Sequence, residues 1–178
     1  PQILAEAFNN RVSVRWFKDT PVSQDKVLWA VDVAATAPSA CNRLPYRWVL
    51  EFEPDAAASI AACAGGTAGF SHQIPAIAIL IGDLSAFFET RDRHLIYIDS
   101  SLAAMQFMLA LQSMGLSTCP INWPDRKSSD KKLAHLIDIE RFEKVVMMIA
   151  IGVAREDGRI PFSAKKQQDV LASIRARR

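Results

Sequence analysis

The sequence predicts an α+β or mixed α/β domain spanning residues 1–178, helix-rich with a few separated strands. Three observations predict it. Residues 23–35 and 102–111 have helical character, the first carrying an apolar stripe and the second apolar on every side except Gln106. Ala76-Ile-Ala-Ile-Leu-Ile, bounded by Pro75 and Gly82, and Val145 to Val153 are continuous apolar runs, read as strands covered on both faces. A chain of 178 residues, half of them hydrophobic, with no internal repeat and no linker, suits one substantial core better than two.

Taken in order, Gln2 to Phe8 forms an opening helix closed by Asn9 and Asn10. Arg11 to Phe17 alternates as an extended segment, then breaks at Asp19-Thr20-Pro21. Ser23 caps a helix whose Val27, Leu28, Val31 and Ala34 share a face, and Pro38 ends it. Arg47 to Phe52 is a strand rich in Trp48, Val49 and Leu50, and Pro54-Asp55 opens an alanine-rich helix to Cys63. Gly65, Gly66 and Gly69 make a flexible loop, and Phe87 to Ile98 reads as a helix or a lid leading into the central helix. Asp99, Ser100 and Ser101 offer N-capping oxygens to that helix, and Gly115 stands where a left-handed C-terminal residue belongs. A helix apolar all round is expected to be buried all round, as the axis of the domain or half of a dimer interface. After it, Leu116 to Pro124 reads as a short strand opening into a loop, a rigidly carried place to hold a reacting group. Lys127 to Ile137 is an exposed helix, residues 155–159 a charged turn, and Lys165 to Arg177 a short basic helix or tail.

The net charge of +2 makes no case for nucleic acid or an anionic membrane surface as a partner. No apolar run reads as long enough to span a bilayer, and the opening residues lack the pattern of an export signal. Three cysteines (Cys41, Cys63, Cys119) and three histidines are scattered singly, so no metal site is expected, and free thiols suit a reducing cytoplasm.

Several chemistries have no motif here: no dinucleotide-binding glycine pattern follows a strand, and no phosphate-loop lysine follows a glycine run. No serine or cysteine has a nearby histidine placed to activate it, so a cofactor is expected to carry the reaction of an enzyme of this sequence. Two stretches suit an anion and a polar ring. In extended Arg11-Val-Ser-Val-Arg, positions 11, 13 and 15 point to one side, and two guanidinium forks with a hydroxyl suit a phosphate. The same alternation also suits a solvated edge strand. Pro38-Ser-Ala-Cys-Asn42 follows a helix end, and Asn42 offers both donor and acceptor to an amide-bearing ring edge, though a plain turn has the same composition.

In register, these pieces resemble the nitroreductase-like FMN-dependent flavoproteins. The opening signature is similar to Arg11-Val-Ser-Val-Arg-Trp-Phe17, and the turn after the second helix to Ala37-Pro-Ser-Ala-Cys-Asn42 with Pro45-Tyr46. The central helix matches Asp99 to Leu116, and the late strand ending in Ile-Gly matches Ile151-Gly152. The resemblance implies a central mixed or antiparallel sheet flanked by helices, in an intertwined homodimer with a buried central helix. It implies FMN bound at the interface: Arg11, Ser13 and Arg15 on the phosphate and ribityl chain, and Pro38, Ser39, Ala40 and Asn42 reaching the flavin from the other subunit. Pro120, Ile121 and Asn122 would lie over the ring, and Lys165 with Lys166 would reach the phosphate, where Arg155 and Arg159 compete for the role.

The implied activity is NAD(P)H-dependent reduction of electron-poor acceptors such as quinones and nitroaromatics, by a two-step relay in which donor and acceptor use one seat in turn. The flavin carries the chemistry, so no side chain is assigned a catalytic role. Trp123 and Phe70 are expected at the substrate pocket, Trp123 alternatively as a core aromatic. The chain departs from relatives with a Pro-Ile-Glu-Gly loop by having Pro120-Ile-Asn-Trp123, so reductive dehalogenation or flavin breakdown, or a non-enzymatic flavin-binding dimer, stay open. Neither the physiological acceptor nor the choice of NADH or NADPH is readable.

Overall fold

The computed structural model describes residues 1–173. Its elements run α1 (Gln2–Asn10), α2 (Gln24–Ala34), β1 (Tyr46–Glu51), α3 (Pro54–Ala61), β2 (Ala76–Asp83), α4 (Leu95–Ser113), β3 (Ser117–Asn122), α5 (Lys127–Leu133), β4 (Glu143–Gly152) and α6 (Gln168–Leu171). The four strands form one antiparallel sheet in the order β1-β2-β4-β3. The basic tail expected from Lys165 is helical only over Gln168–Leu171, and its residues 174–177 lie outside the described part.

The continuous apolar run of β2 has the reason predicted for it: both of its faces are covered. Ile77, Ile79 and Ile81 point to a core shared with α3 and Phe17, while Ala76, Ala78 and Leu80 point to a second core under α2 and α4. Each fully buried isoleucine contributes about 1.5–3 kcal/mol of transfer free energy. Trp48 of β1 stacks on Phe107 of α4 at 4.5 Å, tying the sheet edge to the central helix. Gly152 ends β4 because nothing larger fits: a Cβ there would stand 2.7 Å from Phe17 Cδ1 and from Pro75 Cγ. Across β2, Arg47 of β1 grips Glu143 of β4 through Nε at 2.6 Å and Nη2 at 2.9 Å.

That grip holds the Glu143 carboxyl below the ordinary carboxylate range, against the opposing effect of burial. A carboxyl whose folded pKa is depressed contributes stability that is full above its unfolded pKa and is lost as pH falls through the folded one. Thermal melts across an acid pH series should therefore show Glu143→Gln flattening the acid limb. A Gln variant with an unchanged acid slope would refute the assignment.

The central helix differs from expectation in two ways. Asp99, Ser100 and Ser101 do not cap it: the apolar Leu95–Ile98 extends it one turn earlier, His94 is the N-cap residue, and Asp99 turns inward. Nor is it buried all round. Ala103, Phe107 and Leu111 face the sheet and α2 with no exposure, but Ile98, Leu102 and Met105 are 53%, 43% and 37% exposed because no element among the described residues covers that side. With the turn before it, Thr90–Ser113 is long and apolar enough by length and composition to cross a bilayer, correcting the sequence reading. Half of its apolar window is buried inside the fold. At its end Gly115 adopts φ +78°, the left-handed conformation expected there.

Candidate functional site

The segment after α1 is extended and runs beside edge strand β3 rather than joining the sheet as a full strand. Ser13 bridges Thr118 in parallel, and the Val14 amide donates to the Thr118 carbonyl at 3.0 Å. Val14 turns into the core, which leaves its neighbours Ser13 and Arg15 on the other side. The Gln73 side chain donates to the Arg15 carbonyl at 2.9 Å, and the Arg15 guanidinium lies 6.0 Å from the centre of the Phe70 ring. Phe70, expected at a substrate pocket, lies largely buried beneath that guanidinium and lines a small cavity with it.

Arg11, Ser13 and Arg15 line one cavity of about 1020 Å³ together with Phe162, Lys165 and Lys166. Arg11 Nη1 is buried, with no hydrogen-bond partner among the described residues. Among the described residues none of the ion pairs involves Arg11, Arg15, Lys165 or Lys166. A guanidinium nitrogen buried without a partner carries a desolvation cost. Of the basic residues competing for this place, Arg155 is held by Asp157, at 2.9 Å from its Nε, and lines a separate cavity with Trp16 and Arg159.

Arg15 also lines a smaller cavity of about 130 Å³, whose other walls are Gly65, Gly66, Thr67, Phe70 and Cys119 to Asn122. The glycine loop was not assigned from the sequence, since glycine carries no chemical signal of its own. Its shape depends on Thr67, whose buried hydroxyl donates to the Ala61 carbonyl at 2.9 Å, and on Gly66 at φ +81°. Cys119 was also missed. Burial pushes its thiol pKa up, opposed by the nearby charges of Arg15 and Arg11. Beyond Asn122, Trp123 is half-buried, donates from Nε1 to Asp130 at 3.0 Å, and lines a third cavity of about 480 Å³ with Asn122 and Tyr97.

The turn of Pro38, Ser39, Ala40 and Asn42 lines none of these cavities. It leads into β1, at the opposite edge of the sheet from β3, roughly 14 Å away over three strand spacings. The Ser39 hydroxyl donates to Asp99 Oδ2 at 2.8 Å, and the Ala40 amide donates to the same oxygen at 2.9 Å. Ser39 Oγ in turn accepts from the Leu44 amide at 2.9 Å. Cys41, Asn42 and Leu44 all have positive φ, at 54°, 53° and 45°. Such conformations cost on the order of 1–3 kcal/mol for non-glycine residues and are held only by their surroundings. Arg43 donates to the Ala86 carbonyl and lies over the Phe87 ring, tying the turn to the short helical turns before α4.

The arrangement thus offers a cavity lined by basic side chains that shares Arg15 with a glycine-walled slot at one sheet edge, and a strained, polar turn at the other. The sequence model described as the nitroreductase family matches residues 9–64 and 49–153. A relative from Bacillus subtilis (strain 168), named provisionally as the NAD(P)H nitroreductase YdgI, is 25% identical over 86% of this chain and 89% of that protein. An FMN-dependent nitroreductase from Clostridium difficile R20291 superposes with a TM-score of 0.79 at 19% identity, covering 94% of this chain and 96% of that one. A nitroreductase family protein from Streptococcus pneumoniae TIGR4 does so with a TM-score of 0.80 at 20% identity, covering 97% of this chain and all of that one.

Proposed function

From the premise that this chain belongs to the nitroreductase family of oxidoreductases, we propose that two copies of it bind FMN between them and use NAD(P)H to reduce electron-poor acceptors. The observation that carries the reading is the cavity that Arg11, Ser13, Arg15, Lys165 and Lys166 line together, with Arg11 Nη1 buried and without a hydrogen-bond partner among the described residues. A dianionic phosphate supplies the missing partner, and the forked guanidinium geometry of the arginines suits it. The fit extends past the phosphate, because Arg15 joins this cavity to the slot walled by Gly65, Gly66 and Pro120 to Asn122.

Bound there, FMN supplies the hydride chemistry between a nicotinamide donor and an acceptor such as a quinone or a nitroaromatic. The chain's own work is binding, orientation and electrostatics. Arg11, Ser13 and Arg15, with Lys165 and Lys166, hold the phosphate and ribityl chain. Arg15 is fixed for this by the Gln73 amide on its carbonyl and by Phe70 beneath it. Pro120, Ile121 and Asn122 would wall the ring, with the backbone N–H groups of Ile121 and Asn122 as the donors this stretch can offer, since Pro120 has none. Trp123 and Tyr97 border the adjoining cavity, where the acceptor would enter. Positive charge on one side of the site favours electron-rich states of what it holds.

The second copy is needed because Pro38, Ser39, Ala40 and Asn42 stand at the far edge of their own sheet. An isologous pair places one copy's turn beside the other's arginines, giving two equal sites. The uncovered stripe of Ile98, Leu102 and Met105 on α4 supplies an apolar seam for such a pair.

The test is the purified full-length protein, reconstituted with FMN and examined by light scattering and absorbance without oxygen. The expected result is a dimer with one flavin per chain, bleached by NADH or NADPH and recoloured by a quinone. A monomer that refuses FMN in excess would overturn the reading. Bound flavin that neither nicotinamide bleaches would turn it into a non-enzymatic flavin-binding dimer.

A further inference from the structure

Asp99 is 3% exposed, it has no cation paired with it among the described residues, and both hydrogen bonds it accepts come from one turn. A buried carboxylate is costly to desolvate, so its place in the fold depends on those donors. They are the Ser39 hydroxyl and the Ala40 amide, and through Ser39 Oγ the Leu44 amide joins the same chain of hydrogen bonds. What this network fixes is a five-residue stretch in which Cys41, Asn42 and Leu44 are all left-handed. Without a fixed point at its start, such a turn would relax to commoner backbone angles, and the Asn42 side chain would be re-aimed.

Asp99 sits on α4, where its neighbours Ile98 and Leu102 face outward while it faces in. A second tie joins the far end of the turn to the same helix: Tyr46 meets Trp48 edge-on at 6.5 Å, and Trp48 stacks on Phe107. Burial and the negative charge of Asp99 both raise the Tyr46 phenol pKa, consistent with a hydroxyl kept neutral beside the carboxylate. The helix therefore carries the apolar stripe on one side and the anchors of the turn on the other.

We propose that Asp99 is a positioning residue: through Ser39 and Ala40 it sets the turn that completes the flavin site of the partner copy, and it links that turn to the helix at the pair's seam. The inference rests on the shared-flavin reading above, and goes beyond it by assigning Asp99 a role exercised on the other subunit's cofactor.

The experiment uses full-length protein and FMN as the probe. Asp99→Ala is expected to stay dimeric while FMN dissociates about tenfold more readily or worse, the scale of losing charge-assisted hydrogen bonds. Asp99→Asn keeps one acceptor oxygen of the same size in the same place, so it should recover most of that loss. The decisive measurement is a mixed dimer of an Asp99→Ala copy with an Arg11→Ala/Arg15→Ala copy. One of its sites then combines intact arginines from the first copy with an intact turn from the second. It should bind one FMN per dimer with wild-type affinity, although each parent homodimer binds poorly. A residue acting only on its own copy's site or fold leaves the mixed dimer with no intact site, and that result would overturn the proposal. So would unchanged FMN affinity in the Asp99→Ala dimer, or monomeric Asp99→Asn protein, which would make the residue a support of the fold alone. Wild-type protein that fails to dimerise or to take up FMN would instead defeat the reading beneath it.

Discussion

Purified Arg11→Ala protein should leave its column with little or no flavin, and Arg15→Ala with much less than wild type. Each change removes a charge-assisted contact worth about 1.5–3 kcal/mol, or roughly a 10- to 150-fold weaker FMN dissociation constant. The two effects act on one phosphate and will not add simply. Arg11 carries a further expectation. Because its Nη1 is buried and partnerless without an anion, replacing it relieves an unfavourable burial in the flavin-free protein. Flavin-free Arg11→Ala should therefore melt no lower than flavin-free wild type, while losing the rise in Tm that FMN confers on wild type. Arg15→Lys should be nearly as damaging as Arg15→Ala, since an ammonium reproduces neither the fork nor the stacking over Phe70. Titration of FMN fluorescence and paired melts decide both. Two variants as yellow as wild type would remove the phosphate assignment.

Leu102→Asp should take the protein apart into monomers and strip it of flavin. Leu102 is 43% exposed in the single chain, so the change costs the isolated fold little. In a two-fold pair the new carboxylate enters the seam twice, each copy at a desolvation cost of about 3 kcal/mol or more. Association would weaken on the order of ten-thousandfold, enough to leave monomers at ordinary concentrations. Sedimentation velocity with circular dichroism separates this outcome from unfolding: the helical signal should persist while the mass halves. A dimer that survives Leu102→Asp would place the seam elsewhere.

The strongly patterned elements were legible because local chemistry and tertiary context agreed on them. Ser23 caps α2 as read, and the apolar run of Ile77 to Ile81 lies between two cores. The start of α4 was misread for a physical reason. Asp-Ser-Ser has the composition of a cap, but Asp99 is bonded to a turn some sixty positions earlier, a contact no local pattern reports. Its exposed stripe was unreadable as well. A helix apolar on every side gives no phase from which to tell the face against the sheet from the face left open. At the site, alternation placed Arg11, Ser13 and Arg15 on one side, and the structure brings them into one cavity with Lys165 and Lys166. Nothing in the sequence separated those lysines from Arg155 and Arg159; the Asp157 contact that occupies Arg155 does. Gly65 and Gly66 contribute space rather than a functional group, so only coordinates could assign them.

The distance between the two edges of the sheet has a consequence for handling the protein. If each pigment molecule needs parts from both edges, holding it and holding the pair together are one equilibrium, linked by mass action. Specific activity should then fall on dilution, colour should be shed in step with it, and added cofactor should restore both at a fixed amount of protein.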